Sequence, residues 1–233
     1  MTPNNALTTW HWEQLTQGSG ITADVIAERG YRSILRPGAY AELKPYGFSR
    51  AQASVPGLLL PLWTTDGRNG LMVYRPDTPR LGKDQQPIKY ELLKGAGVRL
   101  DCPPRCQPML ANPTISLWVT EGQKKAGALA SHSLCVIAML GVWNFKGKNP
   151  FSGTTLLADW GYIALKSREV RIVFDNDVMA KPSVRKALDR LVEHLQRKGA
   201  HVTAIYLPQA GGQKVGVDEY LLTHTVQDLE GVG

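Results

Sequence analysis

From about residue 113 onward, short hydrophobic runs alternate along the chain with segments that have the periodicity of helices. The hydrophobic runs predict strands over residues 115–120, 134–140, 170–174 and 201–207. The segments between them predict a helix over residues 123–131, a long polar loop over residues 144–160, and a strong helix from Pro182 to Gly199. Because strands alternate with helices, the pattern predicts a parallel sheet covered by helices, which is an α/β fold.

The earlier part of the chain has a different pattern, in which short helices precede irregular β structure. A helix is predicted between Thr22 and Gly30. Hydrophobic runs at residues 58–63 and 71–75 predict a β-hairpin, with Asp66-Gly67 as its turn signal. We therefore expect two parts, an α+β subdomain over residues 1–112 and an α/β domain over residues 113–233.

The composition fits a globular protein, since 43% of the 233 residues are hydrophobic. No apolar run approaches the ~20 residues that span a bilayer, and the N-terminus lacks the features of a signal peptide. We therefore predict a soluble, cytoplasmic protein with no membrane partner. Three cysteines are too few for a disulfide framework, and Cys102 and Cys106 lack further ligands at the spacing of a zinc site.

The net charge of +7 favours a polyanionic partner. The excess is spread along the chain: residues 1–110 carry 13 basic and 9 acidic side chains, and residues 111–233 carry 14 and 11. A basic soluble protein that binds no polyanion has the same charge balance, so charge alone does not distinguish the two.

Acidic residues follow the predicted strands at the points where the strands end. Glu121 follows the run 115–120, and Asp175 and Asp177 follow the run 170–174 in an Asp-Asn-Asp triplet. Asp218 comes after the last strand and a Gly-rich loop, and can reach the same edge. In an open α/β sheet, ligands bind at the carboxyl ends of the strands. Carboxylates gathered there are hard oxygen ligands for Mg²⁺, with Mn²⁺ as a substitute.

Each acid taken singly has a simpler explanation. An aspartate after a strand often caps the next helix, and a glutamate in a first turn is favoured by the helix dipole. Three acids at the strand ends of one sheet favour the metal site over separate caps. Such a site suits phosphoryl or nucleotidyl transfer, because Mg²⁺ offsets the negative charge that develops on phosphate oxygens.

The motif Thr120-Glu121-Gly122 after one strand, followed by Phe174-Asp175-Asn176-Asp177 after another, resembles the Toprim domain of bacterial-type primases, topoisomerases and some nucleases. The resemblance covers residues ~113–222. It implies a Toprim-like parallel sheet, with Glu121 as general acid/base or metal ligand and the two aspartates as Mg²⁺ ligands. The chain is too short to contain the strand-passage machinery of a topoisomerase.

The region upstream resembles the basic subdomain that precedes Toprim in bacterial-type primases. The similar features are Leu60-Pro61-Leu62, Asp66-Gly67-Arg68, Tyr74-Arg75 and Ile88-Lys89-Tyr90. The resemblance implies that Arg75 and Lys89 contact nucleotide phosphates or template and that Tyr90 lines the groove. Tyr74-Arg75-Pro76-Asp77 and the run 140–145 are similar to the Toprim-like modules of uncharacterised replication proteins from plasmids, phages and integrated elements. The sequence departs from the primase pattern after Glu121-Gly122, where Gln123 replaces a further acidic residue.

Basic side chains are interleaved with tyrosines in the first part of the chain, as in surfaces that bind single-stranded nucleic acid. This set is Arg68, Arg75, Arg80, Lys83, Lys89 and Lys94, with Tyr74 and Tyr90. Lys124 and Lys125 follow Glu121, and Lys214 precedes Asp218, so these lysines are further candidates for nucleotide binding. An ordinary solvated face with packed tyrosines is the alternative, and for Lys214 the two interpretations are equally good.

The leading hypothesis is a Mg²⁺-dependent, primase-like nucleotidyltransferase of a mobile-element replication system. Its expected partners are single-stranded DNA, nucleoside triphosphates and a helicase domain or protein. A Toprim-type metal-dependent nuclease uses the same acids, and a non-catalytic DNA-binding module of a replication complex needs none of them. The sequence leaves these alternatives open, together with template specificity and oligomeric state.

Overall fold

The computed structural model describes residues 6–35, 38–68, 70–93, 95–148, 153–178, 180–208 and 214–232. The first part of the chain forms a three-stranded antiparallel sheet in the order β1-β2-β3, with helices beside it. Its elements are α1 (Thr9–Thr16), α2 (Ala23–Arg29), β1 (Arg32–Ile34), α3 (Ala39–Leu43), β2 (Gly57–Leu62) and β3 (Leu71–Pro76). The helix ended by Gly30 and the β2–β3 hairpin are as predicted.

The second part forms a four-stranded sheet in the order β5-β4-β8-β9, in which all neighbours are parallel. Its elements are β4 (Leu117–Glu121), α4 (Gln123–Ser131), β5 (Cys135–Met139), β6 (Lys146–Lys148), β7 (Thr154–Leu156), β8 (Glu169–Val173), α5 (Pro182–Arg197), β9 (His201–Ile205), α6 (Val217–Tyr220) and α7 (Val226–Gly231). The predicted α/β class, a parallel sheet flanked by helices, is confirmed.

The long loop predicted over residues 144–160 is more ordered than expected. It contains the antiparallel hairpin β6–β7, and a 3₁₀ turn follows at Ala158–Tyr162. Each strand of this hairpin has only three residues and no continuous apolar run, so the hydrophobic pattern gave no sign of it.

One hydrophobic core extends through both parts of the chain. Leu15, Val25 and Leu60 from the first part belong to the same buried cluster as Val119 and Leu129 from the second. The helical face of α5 contributes Leu188, Leu191 and Leu195, as its spacing predicts. The division at residue 112 therefore crosses a continuous core, and it stays a prediction.

A buried polar joint connects the two parts, formed by Arg29, Asp101 and Gln123. The main chain of Asp101 exchanges hydrogen bonds with Ala138 of β5, at 2.8 and 2.7 Å. Its carboxylate accepts from Arg29 Nη2 at 2.6 Å, and both side chains are fully buried. Gln123 Nε2, in the first turn of α4, donates to the Pro61 carbonyl at 2.8 Å and to Asp101 at 3.3 Å. The residue that departs from the primase pattern thus joins α4 to β2.

Among the described residues, no helix is both long enough and apolar enough to cross a membrane. The three cysteines are buried free thiols. Burial raises the pKa of Cys106 to about 12, so this thiol is neutral at physiological pH. The cysteines therefore contribute to packing in the core.

Candidate functional site

The acidic residues emerge from adjacent strands at the carboxyl edge of the parallel sheet. Glu121 is the last residue of β4, and Asp175 lies two residues beyond the end of β8. These strands are neighbours, with Thr120 opposite Val173. Gly122 has φ +94°, a left-handed conformation that favours glycine, and its N–H donates to the Met139 carbonyl at 2.8 Å. The chain therefore turns sharply just after Glu121 and leaves this side chain at the edge.

Asp175 and Asp177 are each paired with two lysines. Asp175 is almost fully buried; Lys125 approaches its Oδ1, and Lys214 Nζ lies 2.7 Å from its Oδ2. Lys181 Nζ donates to Asp177 Oδ2 at 2.6 Å, and Lys214 Nζ lies 3.4 Å from the same oxygen. Burial raises the pKa of Asp177, but its pairing with Lys181 and Lys214 outweighs this and leaves the pKa below its usual value. Asp177 is therefore ionised at neutral pH.

Asn176, between the two aspartates, fixes the main chain of Val215, which is the residue after Lys214. Its main-chain N–H donates to the Val215 carbonyl at 3.0 Å, and its side-chain oxygen accepts from the Val215 N–H at 2.9 Å. The middle residue of the triplet therefore brings a distant lysine to the acids on either side of it.

Glu121 lies in the electrostatic field of the same group. Burial raises the pKa of its carboxyl group; Lys125 opposes this shift, and the charge of Asp175 adds to it. Lys214 and Asp177 act in the same opposing ways with smaller effect. A partly buried carboxyl group with a raised pKa, beside other carboxyl groups and lysines, has the properties of a general acid/base.

Asp218 joins these acids from the start of α6. Its Oδ2 accepts from Ser19 Oγ at 2.9 Å, which fixes the orientation of the carboxylate. A Cβ atom placed on Gly216 would lie 2.7 Å from Asp218 Oδ1 and 3.1 Å from Asp175 Oδ1. The Lys125 Cε methylene lies closer still, at 2.6 Å, so only glycine fits between these three side chains. We call Glu121, Asp175, Asp177 and Asp218 the acid edge.

Arg75, Tyr90 and Lys124 lie beside the acid edge, and we call them the basic wall. Tyr90 is exposed as a residue, but its hydroxyl group is enclosed near Arg75, Lys125 and Asp218; this burial raises its pKa. Burial lowers the pKa of Lys124, which also interacts with Asp218 and Arg75. Arg75 donates to Gln14 at 2.9 Å, so α1 orients it.

Lys89 lies exposed next to Tyr90 in the chain. Lys94, which the sequence also placed in the basic set, lies outside the described residues. Arg80 forms an ion pair with the buried Glu91 at 2.6 Å. The sequence analysis did not identify Lys181, Ser19 or Gly216 as parts of the site. Only Lys181 had a local signal, as it lies four residues after Asp177.

The acid edge has the donor chemistry of a Mg²⁺ site, but two of its four carboxylates, those of Asp175 and Asp177, are paired with lysines. In the described parts of the chain, no group of three or more His, Cys, Asp or Glu side chains is arranged to hold a metal ion. Asp175 Oδ1 is buried and faces the Lys125 ammonium group, and Asp175 Oδ2 faces Lys214. A cation would fit in place of the Lys214 ammonium group, which bridges Asp175 and Asp177, with Asp218 and Glu121 close by.

Comparison with known sequences gives a family but no activity. A family model described as a domain of unknown function, DUF3854, matches residues 106–228. An uncharacterised protein of a Picosynechococcus strain is 29% identical over 132 residues, which cover 52% of this chain. That match covers only 13% of the relative, so the chain spans a small part of the curated protein it matches.

Comparison with solved structures gives the fold of bacterial primase catalytic cores. The zinc-binding and RNA polymerase domains of the Aquifex aeolicus primase match 97% of this chain and 55% of theirs, with a TM-score of 0.63 at 17% identity. The RNA polymerase domain of Mycobacterium tuberculosis primase DnaG matches 95% and 74%, with a TM-score of 0.60 at 15% identity. A DnaG primase catalytic domain bound to single-stranded DNA matches 94% and 69%, with a TM-score of 0.59 at 19% identity. At these identities the similarity establishes the fold.

Proposed function

The chain belongs to the DUF3854 family, whose description names no activity, and we propose that it is a primase-like nucleotidyltransferase that acts on single-stranded DNA in the replication of mobile elements. The observation that carries the proposal is the position of the acid edge directly beside the basic wall. Carboxylates that bind a divalent cation and cationic side chains that bind phosphate are both needed for nucleotidyl transfer. The fold similarity to primase catalytic cores supports the same reaction class.

Each residue has a distinct role in this proposal. Asp175 and Asp177 bind Mg²⁺, and Asp218 is a further candidate ligand. Bound Mg²⁺ would neutralise charge on the phosphate groups and activate the attacking oxygen. Glu121 accepts the proton of the primer 3′-hydroxyl or acts as a ligand.

The basic wall, together with Lys89 and Lys214, provides the binding surface for substrate and template. Arg75 can form paired hydrogen bonds to a phosphate, whereas Lys89, Lys124 and Lys214 contribute compact positive charges. The exposed ring of Tyr90 provides a face on which a base can stack. The net charge of +7 favours association with the strand at low ionic strength.

The chain would act as one module of a replication system in the cytoplasm. Single-stranded DNA and nucleoside triphosphates are its substrates in this proposal, and a helicase domain or protein would supply the unwound template.

The test is primer synthesis on a single-stranded DNA template with nucleoside triphosphates and Mg²⁺ or Mn²⁺. Asp175→Asn and Asp177→Asn remove the proposed ligands, and Asp189→Asn on the exposed face of α5 is the matched control. We expect extended products from the unmodified chain and the control, with at least a hundredfold loss in the two site variants, about 2.7 kcal/mol in activation free energy. Unchanged synthesis by both site variants would refute the proposal. Shortened strands without extension would identify the Toprim-type nuclease, and salt-sensitive binding without any product would identify a non-catalytic module.

A further inference from the structure

The acid edge is supplied with positive charge from three separate elements. Lys125 comes from the first turn of α4, Lys181 from the residue before α5, and Lys214 from the loop before α6. Lys214 bridges the two aspartates, at 2.7 Å from Asp175 and 3.4 Å from Asp177. These lysines add three positive charges to two aspartates, so a dication that approaches them meets carboxylates that are already neutralised.

The three lysines differ in how freely their ammonium groups can move away from the aspartates. The side chain of Lys125 is only 18% exposed, whereas those of Lys181 and Lys214 are 55% and 57% exposed. A half-exposed ammonium group on a long, flexible stem can change partners at small cost, and a mostly buried one cannot. Lys181 and Lys214 are about equally exposed, but only Lys214 bridges both aspartates, so it is the lysine best placed to exchange these anions for a phosphate.

We infer that Lys214 couples metal uptake at the acid edge to the binding of a triphosphate, an inference that rests on the proposed function. Lys214 pairs with Asp175 and Asp177 while the phosphate site is empty. When a triphosphate enters, the ammonium group moves to a phosphate oxygen and leaves the aspartates to the cation. The two ligands then bind with positive coupling, because each supplies the charge that the other requires.

Linkage makes the coupling reciprocal and gives it an unusual signature. If bound metal strengthens triphosphate binding, then bound triphosphate must strengthen metal binding to the same degree. If Lys214 opposes the metal in the nucleotide-free protein, removal of its charge must increase metal affinity there. A lysine that only contributes to a generally basic surface would have no effect specific to this position.

The experiment measures Mn²⁺ binding to the full chain without nucleotide, by electron paramagnetic resonance of the free ion. Lys214→Met is compared with the unmodified chain and with Lys186→Met, which removes the same charge from the exposed face of α5. We expect Lys214→Met to bind Mn²⁺ about tenfold more tightly, which corresponds to ~1.4 kcal/mol, and Lys186→Met to be unchanged. Adding Asp177→Asn to Lys214→Met should abolish the gain, which would locate the ion at the acid edge.

A second arm measures the coupling with a fluorescent, non-hydrolysable triphosphate. Its affinity for the unmodified chain should rise when Mn²⁺ replaces EDTA, and this rise should be several-fold smaller in Lys214→Met. Equal or weaker Mn²⁺ binding by Lys214→Met, or an equal gain in Lys186→Met, would overturn the inference, as would a chain that binds no Mn²⁺ in any form. Neither arm measures primer synthesis, so the two ideas fail separately. Absence of primer synthesis in its own assay refutes the proposed function, whereas a wrong order of Mn²⁺ affinities refutes the coupling.

Discussion

The substitution Asp101→Asn tests the buried joint that connects the two parts of the chain. Arg29 and Asp101 are fully buried, and their side chains meet at 2.6 Å. In the unmodified chain, Asp101 Oδ1 accepts from the main-chain N–H of Trp63 at 3.3 Å. Asparagine keeps the shape of aspartate and one oxygen that can accept this hydrogen bond. The substitution therefore removes one charge and leaves most of the geometry in place.

The expected loss in the free energy of unfolding follows from the charge of Arg29, which remains in the variant. Burial lowers the pKa of Arg29, but the charge of Asp101 outweighs this and raises the pKa above its usual value, so the guanidinium group is charged in the folded protein. Removing one partner of a buried ion pair costs about 3–5 kcal/mol, because the other charge is left without compensation. This is a large share of the roughly 5–15 kcal/mol that stabilises a typical domain. In the double variant Arg29→Met/Asp101→Asn, neither charge of the pair remains. We expect this variant to lose less than about 2 kcal/mol in the free energy of unfolding.

Urea unfolding followed by circular dichroism measures the free energy of unfolding of the unmodified chain, Asp101→Asn, Arg29→Met and the double variant. The reasoning predicts that Asp101→Asn is the less stable of the two Asp101 variants, although it carries one substitution fewer. The opposite order, or a cost below about 1 kcal/mol for Asp101→Asn, would show that the ion pair does not stabilise the joint as we describe.

Three further predictions concern the site. Gly216→Ala places a Cβ atom 2.6 Å from the Lys125 Cε methylene and 2.7 Å from Asp218 Oδ1. We expect this variant to lose at least tenfold in Mn²⁺ affinity by titration, which corresponds to ~1.4 kcal/mol. Gly161→Ala, in which the added atom meets nothing within 4 Å, should lose no affinity. Burial raises the pKa of Glu121, so the contribution of this group to stability is fully present below its ordinary pKa and is lost as the pH rises through the raised pKa. Glu121→Gln should therefore gain stability relative to the unmodified chain as the pH rises from 4 to 8. A difference in thermal unfolding that stays constant over this range would contradict this. Arg75→Met should weaken single-stranded DNA binding and reduce the slope of log affinity against log salt by about 1, whereas Arg185→Met on the exposed face of α5 should change neither in a fluorescence anisotropy titration.

Much of the fold could be predicted because its main elements have strong local signals. Helix α4 was predicted over residues 123–131, exactly as found, since an Ala-rich and Lys-rich segment follows Gly122 directly. Strands β4 and β5 of the parallel sheet are buried on both faces and appear as continuous hydrophobic runs. Strands β1, β6 and β7 have only three residues each, and they form through pairing with their neighbours, which no local pattern reveals.

The acids of the candidate site could be found from the sequence because strand ends are local features, and parallel pairing brings them together. The residues that orient and neutralise them could not. Ser19 donates to Asp218 across 199 positions of sequence, and Gly216 matters only because three side chains approach it. Gln123 looked like the loss of an acid, yet it is buried and donates to Asp101, so its amide performs a structural task that a carboxylate could not.

The continuous core has a consequence for how a strand of DNA can be bound. Residues beneath the basic wall and beneath the acid edge belong to one packed cluster, and the buried joint links the same two regions. Packed interiors of this kind resist bending, so the basic wall and the acid edge should keep a fixed separation. Under the proposed function, a template would then enter without a large rearrangement of the two parts. The affinity for DNA should depend on the charges of the basic wall, and release of the strand should be correspondingly fast at high salt.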